Sequence, residues 1–538
     1  MINKESKLSF NSVFDLVYDY AAKNGFKLII GFALLVFVST FLLRLSLVFT
    51  YIADMGGVES NVIYSIQRLI AGYPLYVDPS VAPYSITQYT PIYYYIMLGL
   101  AKLVQLDADQ VEGVYILSRS FSLLCNLGFA YFSALITVNI FKGNRWMGVL
   151  VFVFAFVFLD EESYSRPDSL YNLMLMATVY LTLKFLAKEE NVSIKERYLI
   201  GASLLSVLTI YVKQSGIFMP VLIVFFLLFY CQNVRWTLLS LITMGVSFMA
   251  LLFLFAGNNL AAFYENVVQG VNNGTSVRWF IERILIEHFQ KERFINIIGF
   301  SLGVYWLVKG KEHTLRFLGL AMLGAFLFGI ITGFKIGAAP NYFTEFIALT
   351  VVATLVFVQK YDRLIANKNA LYHAPPFNFK ILFYFVLVVM TLLPRFVGKI
   401  DTKVIKAQQF VLGEEGYQKN KEIADYLYNT EKLMPEDKVF ITTHVHDYLN
   451  KFLYKNTIFP QKEIVYRNPE GVYNYETYFE GLQDGGVKYI IASIKENNVM
   501  DIDGKAAINE DFLNADYSNY TAIKEMNGYV IFKHNRAF

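Results

Sequence analysis

Charge is scarce in this chain, and so is cysteine. Asp, Glu, Lys and Arg make up only 17% of the 538 residues, against 55% hydrophobic. Soluble globular chains carry about 25% charged residues, so an ordinary soluble enzyme is excluded. A net charge of +3 has no basic excess to attract a polyanion, and nucleic acid is not expected as a partner. The two cysteines, Cys125 and Cys231, both lie in apolar runs, so no disulfide framework is expected. No phosphate-cradling Walker loop, no GxGxxG after a strand and no CxxC pair occurs. Internal repeats and low-complexity tracts are missing as well.

What the chain has is apolar length. Its mean hydropathy is +0.41, and apolar runs recur at or near the roughly 20 residues needed to cross a bilayer. This is the pattern of a polytopic α-helical membrane protein. The first run lacks a small-residue cleavage site and reads as an uncleaved anchor. Lys4, Lys7, Lys23 and Lys27 precede it and favour a cytoplasmic N-terminus. The expected spans are 28–51, 117–141, 146–159, 169–187, 198–212, 216–231, 236–256, 294–308, 317–332, 342–359 and 380–396, about 11 in all.

One segment decides the parity of these spans. Pro91–Leu106 is apolar but short, tyrosine-rich and interrupted by Lys102. If it does not cross, most Lys and Arg of the later loops fall inside; if it crosses, the bias reverses. The positive-inside rule therefore makes it an interfacial or re-entrant segment, a depth that tyrosine favours. The resulting organisation is a cytoplasmic segment 1–27, a transmembrane domain 28–396 with a first outer loop 51–116, and a domain 397–538. In that last part KVFITTHVHDYL, KNTIFP, VKYIIASI and YVIFKH read as strands, and EEGYQKNKEIADYLYNTEKL and YNYETYFEGLQDGG as helices. A small extracytoplasmic α/β domain is expected there.

Parity also gathers the unusual polar residues onto the outer face. In the first outer loop, Val62, Ile63, Ile66, Leu69 and Ile70 have helical spacing and make one apolar face. Glu59 falls in the first turn of that helix, where the helix dipole favours an ionised carboxylate. It is either a general base or a helix-capping acid, and Asp54 carries the same two readings. In DEESYSRPD, Pro167 fits the first helical position, which puts Arg166 and Asp168 at an anion-favouring helix N-terminus. Asp160, Glu161 and Glu162 either ligate a divalent cation, Mg or Mn, or form a solvated loop. Lys213 and Gln214 in YVKQSGIF interrupt an apolar stretch, as a phosphate ligand or an interfacial anchor. GFKIGAAPNYFTEF supplies Lys335, Asn341, Tyr342 and Glu345, with Asn341 and Glu345 on one helix face. In the last domain, His444 and His446 share a strand face with no third metal ligand identifiable.

The order of MGGVESNVIYSIQRLIAGYPLYVDP, YTPIYYYI, SRPDSLYNL, VKQSGIF and NYFTE resembles the GT-C superfamily of integral-membrane glycosyltransferases. In particular it is similar to the protein O-mannosyltransferase, aminoarabinose transferase and lipopolysaccharide-core galacturonosyltransferase types. The match covers about residues 28–360 and rests on order and spacing rather than on any single motif. The resemblance implies a bacterial-type inner or plasma membrane enzyme that moves a sugar from a polyprenyl-phosphate carrier, with inversion, to a glycan, lipid or protein acceptor. It implies an acidic base in the first outer loop, Glu59 or alternatively Asp54; the family often has an adjacent Asp-Glu pair, whereas here the acids are five apart. It implies donor-phosphate contacts from Lys213, Arg166 and Gln214. Tyr89, Tyr93, Asp168, Lys335, Asn341, Tyr342 and Glu345 then belong to the substrate pocket. A lipid-linked sugar flippase and a non-catalytic envelope-assembly subunit are the competing expectations.

Overall fold

The structure, a computed structural model, describes residues 10–55, 58–159, 164–187, 191–257, 259–272, 274–290, 292–369, 388, 392–442, 448–460, 476–493 and 518–536. Helix α1 (Phe10–Val48) leads into the loop expected from its charge pattern to be the first outer loop, which holds α2 (Glu59–Ile70) and α3 (Ile92–Leu103). Then follow α4 (Val111–Leu135), α5 (Arg145–Phe158), α6 (Asp168–Leu186), α7 (Val192–Val212), α8 (Phe218–Phe229), α9 (Val234–Ala256) and α10 (Leu260–Val267). Helices α11 (Arg293–Lys309), α12 (His313–Gly333) and α13 (Thr344–Asn369) complete the bundle.

Among the described residues six stretches are long and apolar enough to cross a membrane: Asn24–Val48, Val111–Ile140, Asp168–Leu186, Val234–Ala256, His313–Gly333 and Pro340–Tyr361. Their burial sorts centre from rim. The span Pro340–Tyr361 is 83% buried and Asp168–Leu186 is 72% buried, whereas Val234–Ala256 is 11% buried. An apolar helix that exposes most of its surface needs hydrocarbon rather than water around it. The chain is a polytopic helical membrane protein. The expected span 380–396 falls mostly outside the described residues. Helix starts are set by asparagine: Asn144, Asn191, Asn233 and Asn259 each accept a backbone N–H of the turn that follows.

Helix α3 has 12 residues, a rise of about 18 Å, which is short of the roughly 30 Å hydrocarbon core. Helix α2 departs from the amphipathic pattern read from its sequence. Its apolar face is buried as expected, but so are Ser60, Asn61, Ser65 and Gln67. The polar face is covered partly by the C-terminal domain and partly by the loop's own residues, with Ser65 Oγ 3.1 Å from Thr87 Oγ1. Gln67 Nε2 donates to the carbonyls of Ala108 (2.9 Å) and Lys451 (3.2 Å), and Lys451 Nζ bonds Ser60 Oγ.

The C-terminal domain begins on α14 (Leu393–Asn429) and has a five-stranded sheet of order β2-β1-β3-β5-β4. Its strands are β1 (Val439–Ile441), β2 (Thr457–Ile458), β3 (Tyr489–Ser493), β4 (Tyr520–Met526) and β5 (Tyr529–His534), with α15 (Leu449–Phe452) and α16 (Glu476–Asp484) between them. Strand β1 runs parallel to β2 and β3, while β3, β5 and β4 are antiparallel. The β4–β5 hairpin turns at Asn527-Gly528, both with positive φ, the residue pair that such a two-residue turn favours. Strand β4 was not expected from the sequence, because Lys524 and Glu525 break its apolar alternation.

One face of the sheet packs on Ile423 and Leu427 of α14. The other receives Tyr84 and Ile86 of the first outer loop. There Tyr84 stacks on Phe459 with centroids 4.6 Å apart, and Phe459 N–H donates to the Pro83 carbonyl at 2.9 Å. The first outer loop is thus held between bundle and domain. His444, His446 and Asp447 lie outside the described residues, as do Asp160, Glu161 and Glu162.

Candidate functional site

Between α1 and α2, side chains of α4 fix the path of residues 50–53. The Arg119 guanidinium donates from Nε to Glu59 Oε1 at 2.8 Å and from Nη2 to Oε2 at 2.9 Å. It also donates to the carbonyls of Thr50 (2.8 Å) and Ile52 (2.6 Å). One turn earlier on α4, Tyr115 Oη donates to the Ala53 carbonyl at 2.7 Å. Three carbonyls just before Asp54 are therefore fixed by two side chains of a rigid helix.

Glu59 is the keystone of this arrangement. Both it and Arg119 are fully buried. Besides the guanidinium, Oε1 accepts the Ser165 N–H at 2.8 Å and Oε2 accepts the Met55 N–H at 3.0 Å. Burial alone would push the Glu59 carboxyl up; Arg119 and the two backbone donors outweigh it and hold the group below its ordinary value. The Glu59 carboxylate thus has two donors on each oxygen and is enclosed by protein. Asp54 differs: it is half-buried, and its Oδ1 accepts the Glu59 N–H at 3.3 Å at the start of α2. The helix dipole there favours its ionised form.

A second cluster centres on Asp168, the first residue of α6. Lys213 Nζ lies 2.6 Å from Asp168 Oδ1, Asn341 Nδ2 donates to the same oxygen at 2.9 Å, and Arg166 Nε is 3.2 Å from Oδ2. Lys213 also sits over the Tyr342 ring, 4.6 Å from its centroid. Asp168, Lys213, Asn341, Tyr342 and Glu345 together line one narrow cavity. Tyr89 borders it: burial pushes its phenol up, and Arg166, Asp168, Lys213 and Tyr342 are its ionisable neighbours. The break between α7 and α8 that frees Lys213 is the KQSG turn, where Gly216 lies against the Thr209 backbone with no room for a Cβ.

The other expected residues are placed elsewhere. Gln214 Nε2 is bonded to the carbonyls of Gln88 (2.6 Å) and Val267 (2.9 Å), stitching two loops together. Tyr93 turns into the bundle, with its hydroxyl 2.7 Å from Ser118 Oγ. Lys335 pairs by its backbone with Thr275 and does not line the cavity. No group of three or more potential metal ligands exists among the described residues. Sequence reasoning missed Arg119, Tyr115 and Ser165. The available signal was Arg119 itself, a charge inside an apolar helix, which demands a partner.

Neither a protein-family model nor a characterised protein matches the chain by sequence. Solved structures do match it in shape. ArnT from Cupriavidus metallidurans, bound to undecaprenyl phosphate, superimposes with a TM-score of 0.58 at 14% identity, over 93% of this chain and 97% of that one. The archaeal oligosaccharyltransferase AglB from Archaeoglobus fulgidus, in complex with an inhibitory peptide and a dolichol-phosphate, gives 0.53 at 13% identity, over 86% and 69%. Both likenesses span bundle and C-terminal domain together. The fold of this chain is that of ArnT and AglB.

Proposed function

We propose that this protein is a membrane glycosyltransferase that moves a sugar from a polyprenyl-phosphate carrier to an acceptor hydroxyl at the extracytoplasmic face. The observation that carries the reading is the four-residue stretch Ser165–Asp168. Its first residue grips Glu59, and its last anchors Lys213. A carboxylate loop and a cationic cluster are thereby held side by side, which is the pairing that transfer from a phosphate carrier needs.

In this reading Asp54 is the base, and Glu59 with Arg119 positions it. Asp54 removes the proton of the acceptor hydroxyl, whose oxygen attacks the anomeric carbon from the face opposite the phosphate. The bond from anomeric carbon to phosphate oxygen breaks, the configuration inverts, and polyprenyl phosphate leaves. Phosphate is already a weak base, so it needs positive charge rather than a proton donor. Lys213 and Arg166 supply that charge from fixed positions. Asp168 and Asn341 keep Lys213 oriented, while Tyr89, Tyr342 and Glu345 wall the pocket against water. No step in this reading calls on a metal ion.

The test uses purified protein in nanodiscs with a panel of radiolabelled polyprenyl-phosphate sugars and a lipid and glycan acceptor mixture. Release of polyprenyl phosphate by the wild type, reduced at least about a hundredfold in Asp54→Asn, supports the proposal. Full turnover by a folded Asp54→Asn protein would sink the base assignment. A wild type that releases nothing from any carrier sugar would sink the transfer reaction.

A further inference from the structure

A second cavity lies between the two halves of the molecule. It is a cleft of about 760 Å³, walled on one side by the residues leading into α4 and on the other by α14 and α15. Such a volume is within the range of sites that hold molecules of a few rings. Its lining is neither a lipid groove nor an anion site. Tyr417, Tyr428 and Phe452 contribute ring surface. Acidic Asp109, Glu112 and Asp425 face basic Lys421, Lys451 and Lys455, so the signs balance.

The charged groups are not equally available. Lys455 pairs with Asp109 at 3.0 Å, and Lys451 is buried with its ammonium on Ser60. Lys421 and Asp425 are exposed on one turn of α14, four residues apart, and Glu112 is exposed across from them. A lipid chain would want an unbroken apolar wall, and a polyphosphate would want a cationic excess. Flat rings beside separated carboxylates and an ammonium suit a neutral ligand with many hydroxyls, whose C–H faces stack and whose diols donate to charged acceptors.

The cleft is also tied to the loop that carries Asp54. Glu112 Oε1 accepts the Tyr51 hydroxyl at 3.1 Å, and the Tyr51 ring packs on Tyr417 at 5.0 Å. Glu112, Tyr115 and Arg119 follow each other along one face of α4 and bond Tyr51, Ala53 and Glu59 in turn. The wall of the cleft and the clamp behind Asp54 are one helical surface.

We infer that the cleft between α4 and α14 binds a neutral saccharide chain and is the docking site of a glycan acceptor. The acceptor role rests on the transfer reaction proposed above; saccharide binding stands on the cleft alone. The full-length protein in nanodiscs is titrated with maltotriose, mannotriose and chitotriose and followed by saturation-transfer NMR. Undecaprenyl phosphate binding is measured on the same preparations. At least one trisaccharide binds the wild type. Its Kd weakens about tenfold in Asp425→Ala and in Lys421→Ala, the loss of one charged hydrogen bond. Asp425→Trp, which fills the cleft, abolishes binding. Undecaprenyl phosphate binds all these proteins alike, which shows that they are folded. The inference is overturned if no trisaccharide binds a wild type that takes undecaprenyl phosphate, or if the variants bind as the wild type does. Saccharide binding by a wild type that transfers no sugar would uphold the cleft and sink the transfer reaction.

Discussion

The backbone N–H of Ser165 donates to Glu59 Oε1 at 2.8 Å, across 106 residues of sequence. Ser165 is three residues from Asp168, which holds Lys213, and Glu59 is five from Asp54. The bond makes the loop before α6 and the loop before α2 a single body. Moving either would shift carboxylate and cations together, which is what a reaction between a nucleophile and a leaving phosphate requires of its scaffold.

The Glu59–Arg119 pair is expected to behave as structure. Removing one partner of a buried pair leaves the other charge uncompensated, at a cost of about 3–5 kcal/mol. Arg119→Ala and Glu59→Gln should each lower the unfolding temperature clearly in detergent. The double variant Glu59→Gln/Arg119→Met should recover part of that loss, because no unpaired charge remains. A single variant with an unchanged unfolding temperature would show that the pair contributes nothing to stability.

Asp54→Asn is expected to do the reverse. The group is half-buried, and the hydrogen bond it accepts from the Glu59 N–H survives as an amide oxygen contact. Unfolding temperature should stay within about 1 °C, whereas turnover should fall by roughly 10²–10⁴, the usual contribution of a positioned base. Release of polyprenyl phosphate, with thermal unfolding on the same sample, separates the two effects.

Much of this site was legible in the sequence, but not the division of labour within it. The apolar runs and the spacing of Val62, Ile63, Ile66 and Leu69 gave six of the expected spans and α2, because each signal is local. Arg166, Asp168, Lys213, Asn341 and Tyr342 stood out as polar residues in apolar surroundings, and the fold brings them together. How a carboxylate is engaged depends on its partners, and those of Glu59 include groups 60 and 106 residues away. That is why Glu59 read as the better base and Asp54 as the alternative. The burial of the α2 polar face was illegible for the same reason, since Lys451 is 391 residues from Ser60.

Lys213 should matter more than Arg166. Lys213 is buried and bonded to Asp168, while the Arg166 side chain is 14% exposed. Lys213→Ala removes a fixed cation from a site with little water and should cost about 10²–10³ in turnover. Arg166→Gln should raise the KM for the carrier sugar several-fold with a smaller effect on turnover. Equal effects of the two substitutions on both parameters would rule out this ranking.

The Glu59 carboxyl also sets a pH dependence whose sign can be worked out. Its pKa in the folded protein lies below the ordinary 4.5. The unfolded chain therefore binds a proton at a higher pH than the folded one does. The stability contributed by the pair is complete above about pH 5.5, roughly one unit above the unfolded value, and is lost as pH falls from there through the lower folded value. Thermal unfolding scanned from pH 8 to pH 3.5 should show a plateau and then a decline. In Glu59→Gln the plateau should lie lower and the decline should be shallower, because one of the titrating groups is gone. A decline of the same steepness in both proteins would mean that other carboxylates account for it and that the Glu59 carboxyl is not held low by Arg119.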